Sequence, residues 1–284
     1  MIPVAFDYYA PTTVDETLAL LREHSDAKVL AGGQSLMPAL RLRLAAPETI
    51  VDIGKVGELQ GIRDDGDALV IGAMTPHSTV QSDPLVLEHA QLISLATATV
   101  GDPQIRHRGT FGGSLAHADP AADLPAVAVA LDASFEIAGP GGRRTVPASE
   151  FFQGVFSTAL AEDELLVEVR VPKYTGWGAH YEKFNRVAQG WSIVSVAAAV
   201  RLDGDRIAEA RVGLGNMGST PVRATAVEAA LVGQPATVDA VREAASRAAD
   251  GTSPVSDSNG DADYRRHLAT VLTRRAVLAA AGTA

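Results

Sequence analysis

The sequence predicts an α+β chain: strands and helices alternating at its start, antiparallel sheet in its middle, helices gathered at its end. Three observations carry this reading. Strand-like and helix-like patterns alternate across residues 1–53. Asp65-Gly66 and Asp203-Gly204 each sit between apolar runs, the strongest short-range signal for a hairpin. From Val222 onward the strand pattern stops and helical segments follow, and a sheet succeeded by segregated helices is α+β.

Thr13 followed by Glu16 reads as a capping box, and Val14, Leu18 and Leu21 recur behind it at helical spacing. Lys28–Ala31 is a short buried strand, broken by Gly32-Gly33-Gln34-Ser35. Leu36–Ala45 is helical, with Pro38 tolerated in the first turn, and Thr49–Ile53 is a second strand. Leu59–Arg63 and Ala68–Gly72 flank the first hairpin turn. Ser78–Ser82 and Leu85–Val100 read as helices separated by Asp83-Pro84. A glycine-rich stretch, Gly101–Pro120, is too long for an ordinary connection. An apolar helix, Ala121–Leu131, comes next, followed by strands at Ser134–Ile137, Arg144–Pro147 and Leu165–Val171. Pro172–Gly178 reads as a linker, with Trp177 packing at a domain junction. Strands at Ile193–Leu202 and Arg206–Leu214 precede helices at Val222–Val232, Val238–Asp250 and Ala262–Ala281, and the polar Gly251–Asp261 reads as a mobile loop. The expected units are residues 1–53, 54–175 and 176–284.

Composition narrows the function. The chain has 284 residues, 46% of them hydrophobic and 20% charged, enough to bury a substantial core. Lys and Arg number 24 against 34 Asp and Glu, a formal net charge of −10. Nucleic acid is a poor partner for such a surface, because phosphate neutralisation needs a basic face. With no cysteine, the chain offers no disulfide, no Cys nucleophile and no thiolate-held iron–sulfur cluster. No apolar run approaches a membrane span, and the opening residues lack a signal-peptide pattern, so a cytoplasmic location is expected.

Three stretches could carry chemistry. In Ala31-Gly32-Gly33-Gln34-Ser35-Leu36 a strand runs into two glycines and then a helix start. Glycines let a backbone approach a ligand closely, and backbone N–H groups ahead of a helix can face an anion. The alternative is a tight strand-to-helix turn. Thr99–Asp123 repeats the device: Gly109, Gly112 and Gly113 suit close approach, Thr110 and Ser114 bring hydroxyls, and Asp123 offers an acceptor for ribose or ribityl hydroxyls. The alternative is a long surface loop. His117, Asp119 and Asp123 lack the spacing of a zinc site. Ser114 has no G-x-S-x-G elbow, and no P-loop motif occurs. In His180–Ile193, Lys183 and Arg186 could neutralise a phosphate or a reduced flavin, and Trp191 could stack on an aromatic ring. Alternatively Tyr181 and Phe184 are core and Lys183 lies on a solvated face.

Taken in order, AGGQSLMPALRLRL, IVDIG, GAMTPH, VGDPQIRHRGTFGGSLAHADPAADLPAVAVALDA, ELLVEVRVP and YEKFNRVAQGWSIVSVAAAV resemble the FAD-binding medium subunit of the molybdenum hydroxylase family, from end to end. Within the family the likeness is strongest to the aerobic molybdenum–copper carbon monoxide dehydrogenase branch. The resemblance implies a vanillyl-alcohol-oxidase-like (PCMH-type) fold. Residues 1–53 and 54–175 would be two α/β lobes holding non-covalent FAD, and residues 176–284 a C-terminal domain with a three-stranded sheet and helices.

Carried over by position, Ala31, Gly32, Gly33, Gln34, Ser35 and Leu36, together with Thr110, Phe111, Gly112, Gly113 and Ser114, would cradle the pyrophosphate. Asp123 would match a cofactor-binding carboxylate and Leu166 the strand residue beside it. Lys183 would lie near the flavin ring, flanked by Trp191 and Ile193. Many relatives carry Asn in place of Ser114 and Asp in place of Gly190. The resemblance further implies an oxidoreductase subunit with no catalytic or metal-binding residue of its own. Its partners would be an iron–sulfur small subunit with [2Fe–2S] clusters and a large subunit with the molybdenum cofactor, arranged as a dimer of heterotrimers. The acceptor would be external, such as a quinone, which allows peripheral membrane association. The alternatives are the FAD subunit of a related hydroxylase for N-heterocycles or aldehydes, and a stand-alone flavin-binding module.

Overall fold

The computed structural model describes residues 1–283; residue 284, the last of the expected C-terminal domain, lies outside the described residues. The chain forms three sheets in succession, with a small two-stranded ribbon beside the second.

The first sheet is parallel, in the order β1 (Asp7–Tyr9), β3 (Thr49–Asp52), β2 (Lys28–Leu30). Its helices are α1 (Val14–Glu23) and α2 (Leu36–Leu42). Thr13 caps α1 as its sequence implies, its hydroxyl accepting from the Glu16 N–H at 3.1 Å. The return contact is shifted by one residue: the Glu16 carboxylate accepts from the N–H of Thr12, not Thr13. β1 was not expected from the sequence; it is three residues long and pairs only with β3.

The second sheet is antiparallel, in the order β4 (Ile62–Asp65), β5 (Ala68–Gly72), β10 (Leu165–Pro172), β6 (Ser134–Gly139), β7 (Gly142–Pro147). β10 occupies the centre because it is apolar on both faces. Leu166, Val169 and Val171 enter the largest core, while Leu165 and Val167 enter a smaller one shared with α1. A register shift between Leu166 and Glu168 lets the strand serve both.

Between β5 and β6 run α3 (His77–Ser82), α4 (Pro84–His89), α5 (Gln91–Thr97), α6 (Pro103–Arg108), α7 (Phe111–His117) and α8 (Asp123–Ala130). Two expectations change here. The single helix foreseen over Leu85–Val100 is broken at Ala90, whose φ of −148° and ψ of 48° are not helical. The long glycine-rich stretch is not an open loop but two short helices. Asp102 caps the first, with Pro103 at its first position, and Thr110 caps the second. Every residue of α8 is buried, including Asp123 at its start. A helix apolar on all sides belongs between layers, and α8 packs between the second sheet and the third.

After β7 come a short helix, α9 (Ala148–Phe151), and the ribbon of β8 (Phe152–Gly154) with β9 (Ser157–Thr158). The third sheet is antiparallel, in the order β11 (Gly178–Phe184), β12 (Val194–Asp203), β13 (Arg206–Gly215), β14 (Val222–Arg223), and is covered by α10 (Thr225–Leu231), α11 (Val238–Ala245) and α12 (Ala262–Ala280). It has four strands where three were expected. β14 lies in residues that the sequence assigned to a helix. Arg223 is drawn out of that helix by Asp132 at 2.7 Å, by the Val129 carbonyl at 3.0 Å and by Glu228. Trp177 packs at the junction, edge-on to Tyr174 with the Arg211 guanidinium over its ring. The Gly251–Asp261 segment is pinned, not loose: Asp257 accepts from the N–H groups of Asn259 and Gly260 and pairs with the fully buried Arg265 at 2.7 Å. Among the described residues no helix is long and apolar enough to cross a membrane.

Candidate functional site

The three sheets converge on a cleft of about 720 Å³. Its floor is the turn from β2 into α2. Here Gly33 has a φ of 75°, the left-handed region that favours glycine. Among the described residues, the N–H groups of Gly32, Gly33, Gln34, Ser35 and Leu36 have no hydrogen-bond acceptor. Five consecutive free donors, four of them in a turn with no carboxylate on it, form a nest for an anion.

The second glycine stretch is built differently. The Phe111 N–H donates to Thr75 O and the Gly112 N–H to Ala73 O, each at 2.9 Å, so the start of α7 is stitched to the chain leaving β5. The Gly113 N–H donates to the Thr110 hydroxyl at 3.2 Å and the Ser114 N–H to the Thr110 carbonyl at 3.1 Å. From Phe111 to Ser114 its N–H donors are engaged within the protein, so that part contributes shape; among the described residues the Thr110 N–H has no acceptor. The two stretches touch: a Cβ on Gly32 would overlap the Arg108 carbonyl oxygen and lie 2.6 Å from Gly109 Cα. A Cβ on Gly112 would press on the Ala73 backbone, and one on Gly113 would meet the Thr110 hydroxyl at 2.6 Å.

The far wall holds a buried ion pair. Lys183 on β11 places Nζ 3.0 Å from Asp123 Oδ2, with side chains 7% and 4% exposed. Lys183 therefore does not lie on a solvated face. The Tyr181 hydroxyl donates to Asp123 Oδ1 at 2.7 Å, and Lys183 also donates to the Thr99 carbonyl at 3.1 Å. Burial pushes the Asp123 carboxyl up, with Lys183 and Tyr181 pulling the other way. Burial and then the Asp123 charge hold the Tyr181 phenol well above its usual value. Phe184, read with Tyr181 as a core residue, is part-exposed and stands edge-on to Tyr264.

Of the residues singled out from sequence, Ala31, Gly32, Gly33, Gln34, Ser35, Leu36, Thr110, Gly112, Gly113, Ser114, Asp123, Leu166, Lys183 and Trp191 all line this cleft. Three do not. Phe111 is buried in the largest core, Ile193 is buried in the core under the third sheet, and Arg186, read with Lys183 as a possible partner for a phosphate or reduced flavin, is exposed and does not line the cleft. Phe111 lies between two lining residues and Ile193 two positions after Trp191, yet both are buried in the cores. Trp191 is 56% exposed at the rim. The segment carrying it is tied down by Gln189 to Asp102 at 2.8 Å and by Ser192 to the Ala121 carbonyl at 2.8 Å.

Sequence reading missed His77, at the start of α3. It lines the cleft beside Gly109, is 3% exposed, and its Nδ1 is sealed from solvent without a partner. Burial and the nearby Arg106 charge lower its pKa to about 4, so it is neutral near pH 7. His117 and Phe156, tilted against each other with ring centroids 4.9 Å apart, were also missed as a pair. The GAMTPH motif could have pointed to His77; nothing local links Phe156 to the cleft.

An anion nest, a glycine-walled cleft of about 720 Å³ and a buried polar pair at its far wall define a nucleotide-cofactor protein. The residues fit FAD: free N–H donors for a pyrophosphate, and no Cβ where the two glycine stretches meet. Residues 4–174 match the family model described as the FAD binding domain in molybdopterin dehydrogenase, and residues 179–280 match the CO dehydrogenase flavoprotein C-terminal domain. The chain belongs to the FAD-binding medium subunits of the molybdenum hydroxylases, which are subunits of oxidoreductases. It is 43% identical over 284 residues to the carbon monoxide dehydrogenase medium chain of Hydrogenophaga pseudoflava, covering 99% of this chain and 98% of that one. Identity to the carbon monoxide dehydrogenase medium chain of Afipia carboxidovorans is 40% over 280 residues, covering 98% and 97%. The solved carbon monoxide dehydrogenase from Hydrogenophaga pseudoflava superposes with a TM-score of 0.96 at 44% identity, covering 100% of this chain and 99% of that one.

Proposed function

We propose that this chain is the FAD-carrying electron-transfer subunit of an aerobic carbon monoxide dehydrogenase, a cytoplasmic complex. Its partners in this reading are a small subunit with [2Fe–2S] clusters and a large subunit with the molybdenum cofactor, assembled as a dimer of heterotrimers that passes electrons to an external acceptor such as a quinone. The observation that carries the reading is the run of free N–H donors from Gly32 to Leu36 at a cleft whose adjoining wall has no Cβ at Gly112 and Gly113. Support for carbon monoxide comes from the two medium chains at 43% and 40% identity.

In this reading each lining residue has a task. Gly32–Leu36 bind the pyrophosphate of non-covalent FAD, and Gly112 and Gly113 let it approach. Asp123 accepts from a cofactor hydroxyl or orients Lys183. Leu166 would hold the cofactor alongside Asp123, and Trp191 would flank the ring from the rim. Bound FAD supplies one-electron and two-electron exchange, and the protein's work is to bind, orient and shield it. No residue of this chain is assigned acid–base or nucleophilic work.

A second reading, the FAD subunit of a hydroxylase for an aldehyde or an N-heterocycle, is favoured by one observation. The glyceraldehyde dehydrogenase medium chain of Sulfolobus acidocaldarius is 36% identical over 97% of this chain, and a caffeine dehydrogenase subunit from a Pseudomonas is 37% identical over 99%. The partner decides between the two.

The test is copurification of the tagged chain under native expression, followed by anaerobic addition of CO. An iron–sulfur and a molybdenum subunit should copurify, and the flavin in that complex should bleach with CO, while the chain alone should not. Acid precipitation should leave all the FAD in the supernatant. Bleaching of the isolated chain, or flavin retained in the pellet, would overturn the reading.

A further inference from the structure

Lys183 is held in a way that its own contact with the cleft does not require. Its ammonium carries three N–H groups. One goes to Asp123 Oδ2 at 3.0 Å and one to the Thr99 carbonyl at 3.1 Å. Lys183 lines the cleft, so the third has the cleft as its remaining direction. The pair it forms with Asp123 is neutral overall. A ligand in the cleft therefore meets one aimed N–H donor, not a free cation.

The aim of that donor depends on the carboxylate, and the carboxylate depends on Tyr181. Asp123 Oδ1 accepts from the Tyr181 hydroxyl at 2.7 Å, and its other contact, from the Thr99 hydroxyl, is long at 3.4 Å. Tyr181 and Lys183 are two residues apart on β11, so both side chains leave the same face of the strand and reach one carboxylate. Tyr181 does not line the cleft; its ring is part of the largest core.

We propose that Tyr181 is a positioning residue of the flavin cleft, fixing the Asp123 carboxylate so that Lys183 keeps one N–H aimed at an acceptor on the bound flavin. This rests on the cleft being the FAD site. Because burial keeps the phenol protonated, Tyr181 acts as a donor across the whole pH range in which the protein is handled. Loss of the phenol leaves Oδ1 with only the long Thr99 contact and frees the carboxylate to turn away from its present plane, carrying the ammonium with it. A hydrogen bond to a buried charge is among the stronger ones, so the effect should be readable in binding.

The test is a double-mutant cycle on FAD dissociation: wild type, Tyr181→Phe, Lys183→Met and the double variant, each expressed with whatever partners copurify. Tyr181→Phe should weaken FAD binding about tenfold in the wild-type background and less than about twofold in the Lys183→Met background. The flavin midpoint potential should shift in Tyr181→Phe relative to wild type, and Tyr181→Phe should add no shift in the Lys183→Met background. Equal losses in both backgrounds would make Tyr181 a packing residue and overturn the proposal. If Lys183→Met does not fold, Lys183→Gln takes its place, and if Tyr181→Phe does not fold, Tyr181→Met, which also removes the hydroxyl that Asp123 accepts from, runs the same cycle with the same criterion. Wild-type protein that takes up no FAD would overturn the function proposed above, a result distinct from an additive cycle.

Discussion

Gly32→Ala tests the site at the point where its two halves meet. The added Cβ would overlap the Arg108 carbonyl and stand 2.6 Å from Gly109 Cα. Carbon atoms in good contact are about 3.5–4.0 Å apart, so the shortfall is roughly 1 Å. Both obstacles are backbone, so no side chain can swing aside; either the β2–α2 turn or the end of α6 must shift. Overpacking of this kind costs about 1–3 kcal/mol. If the strain is relieved by displacing the turn that carries the five free N–H donors, FAD affinity should fall roughly 5-fold to 150-fold. The assay is an FAD titration of the apoprotein, by calorimetry or by quenching of flavin fluorescence, with a thermal melt of each apo form beside it. Gly57→Ala is the control: a Cβ there has open space, and the position has no positive φ. Wild-type affinity and wild-type melting in Gly32→Ala would show that the two stretches need not touch, and the account of the cleft would be wrong.

Lys183→Met should lower apoprotein stability by about 3 kcal/mol or more, because it strands the buried Asp123 carboxylate; Asp123→Asn added to it should recover part of that loss in chemical denaturation. His77 makes stability fall with acid. Its folded pKa is depressed to about 4, so the unfolded chain takes up a proton from about pH 6.5 downward while the folded chain resists until about 4. Stability drains across that window by up to about 3 kcal/mol, and His77→Leu should flatten urea-melt midpoints between those pH values. Ser114→Asn should leave FAD affinity within about twofold, since the Ser114 side chain makes no hydrogen bond within the protein; a loss of tenfold or more in the same titration would contradict this.

Local chemistry was legible in the sequence. The Thr13 cap, the Asp65-Gly66 and Asp203-Gly204 hairpins, the apolar α8 and the β2–α2 glycine turn all depend on residues within a few positions of one another, and all are present. The candidate cleft was legible too, through the order of its motifs, and most of the residues named from sequence line it. What failed locally did so through distant partners. Arg223 left its expected helix for Asp132, which lies 91 residues earlier, and the helix expected over Leu85–Val100 broke at Ala90, beside the His89 carbonyl that accepts from the Tyr174 N–H at 2.7 Å.

Only the tertiary structure decided what each site residue does. The two glycine stretches look alike in sequence. One has free N–H groups because no carbonyl reaches it, while from Phe111 to Ser114 those of the other are taken by Ala73, Thr75 and Thr110. Phe111 sits between lining residues yet faces the core, because successive side chains on a helix point in different directions, and Ile193, two positions after Trp191, is buried under the third sheet. The state of Lys183 turned on Asp123, 60 residues away, and on Tyr181 behind it. A sequence states which groups can donate, accept or carry charge. Whether a donor is free, or a charge buried and paired, depends on what the fold brings against it, and that is a property of contacts between segments far apart in the chain.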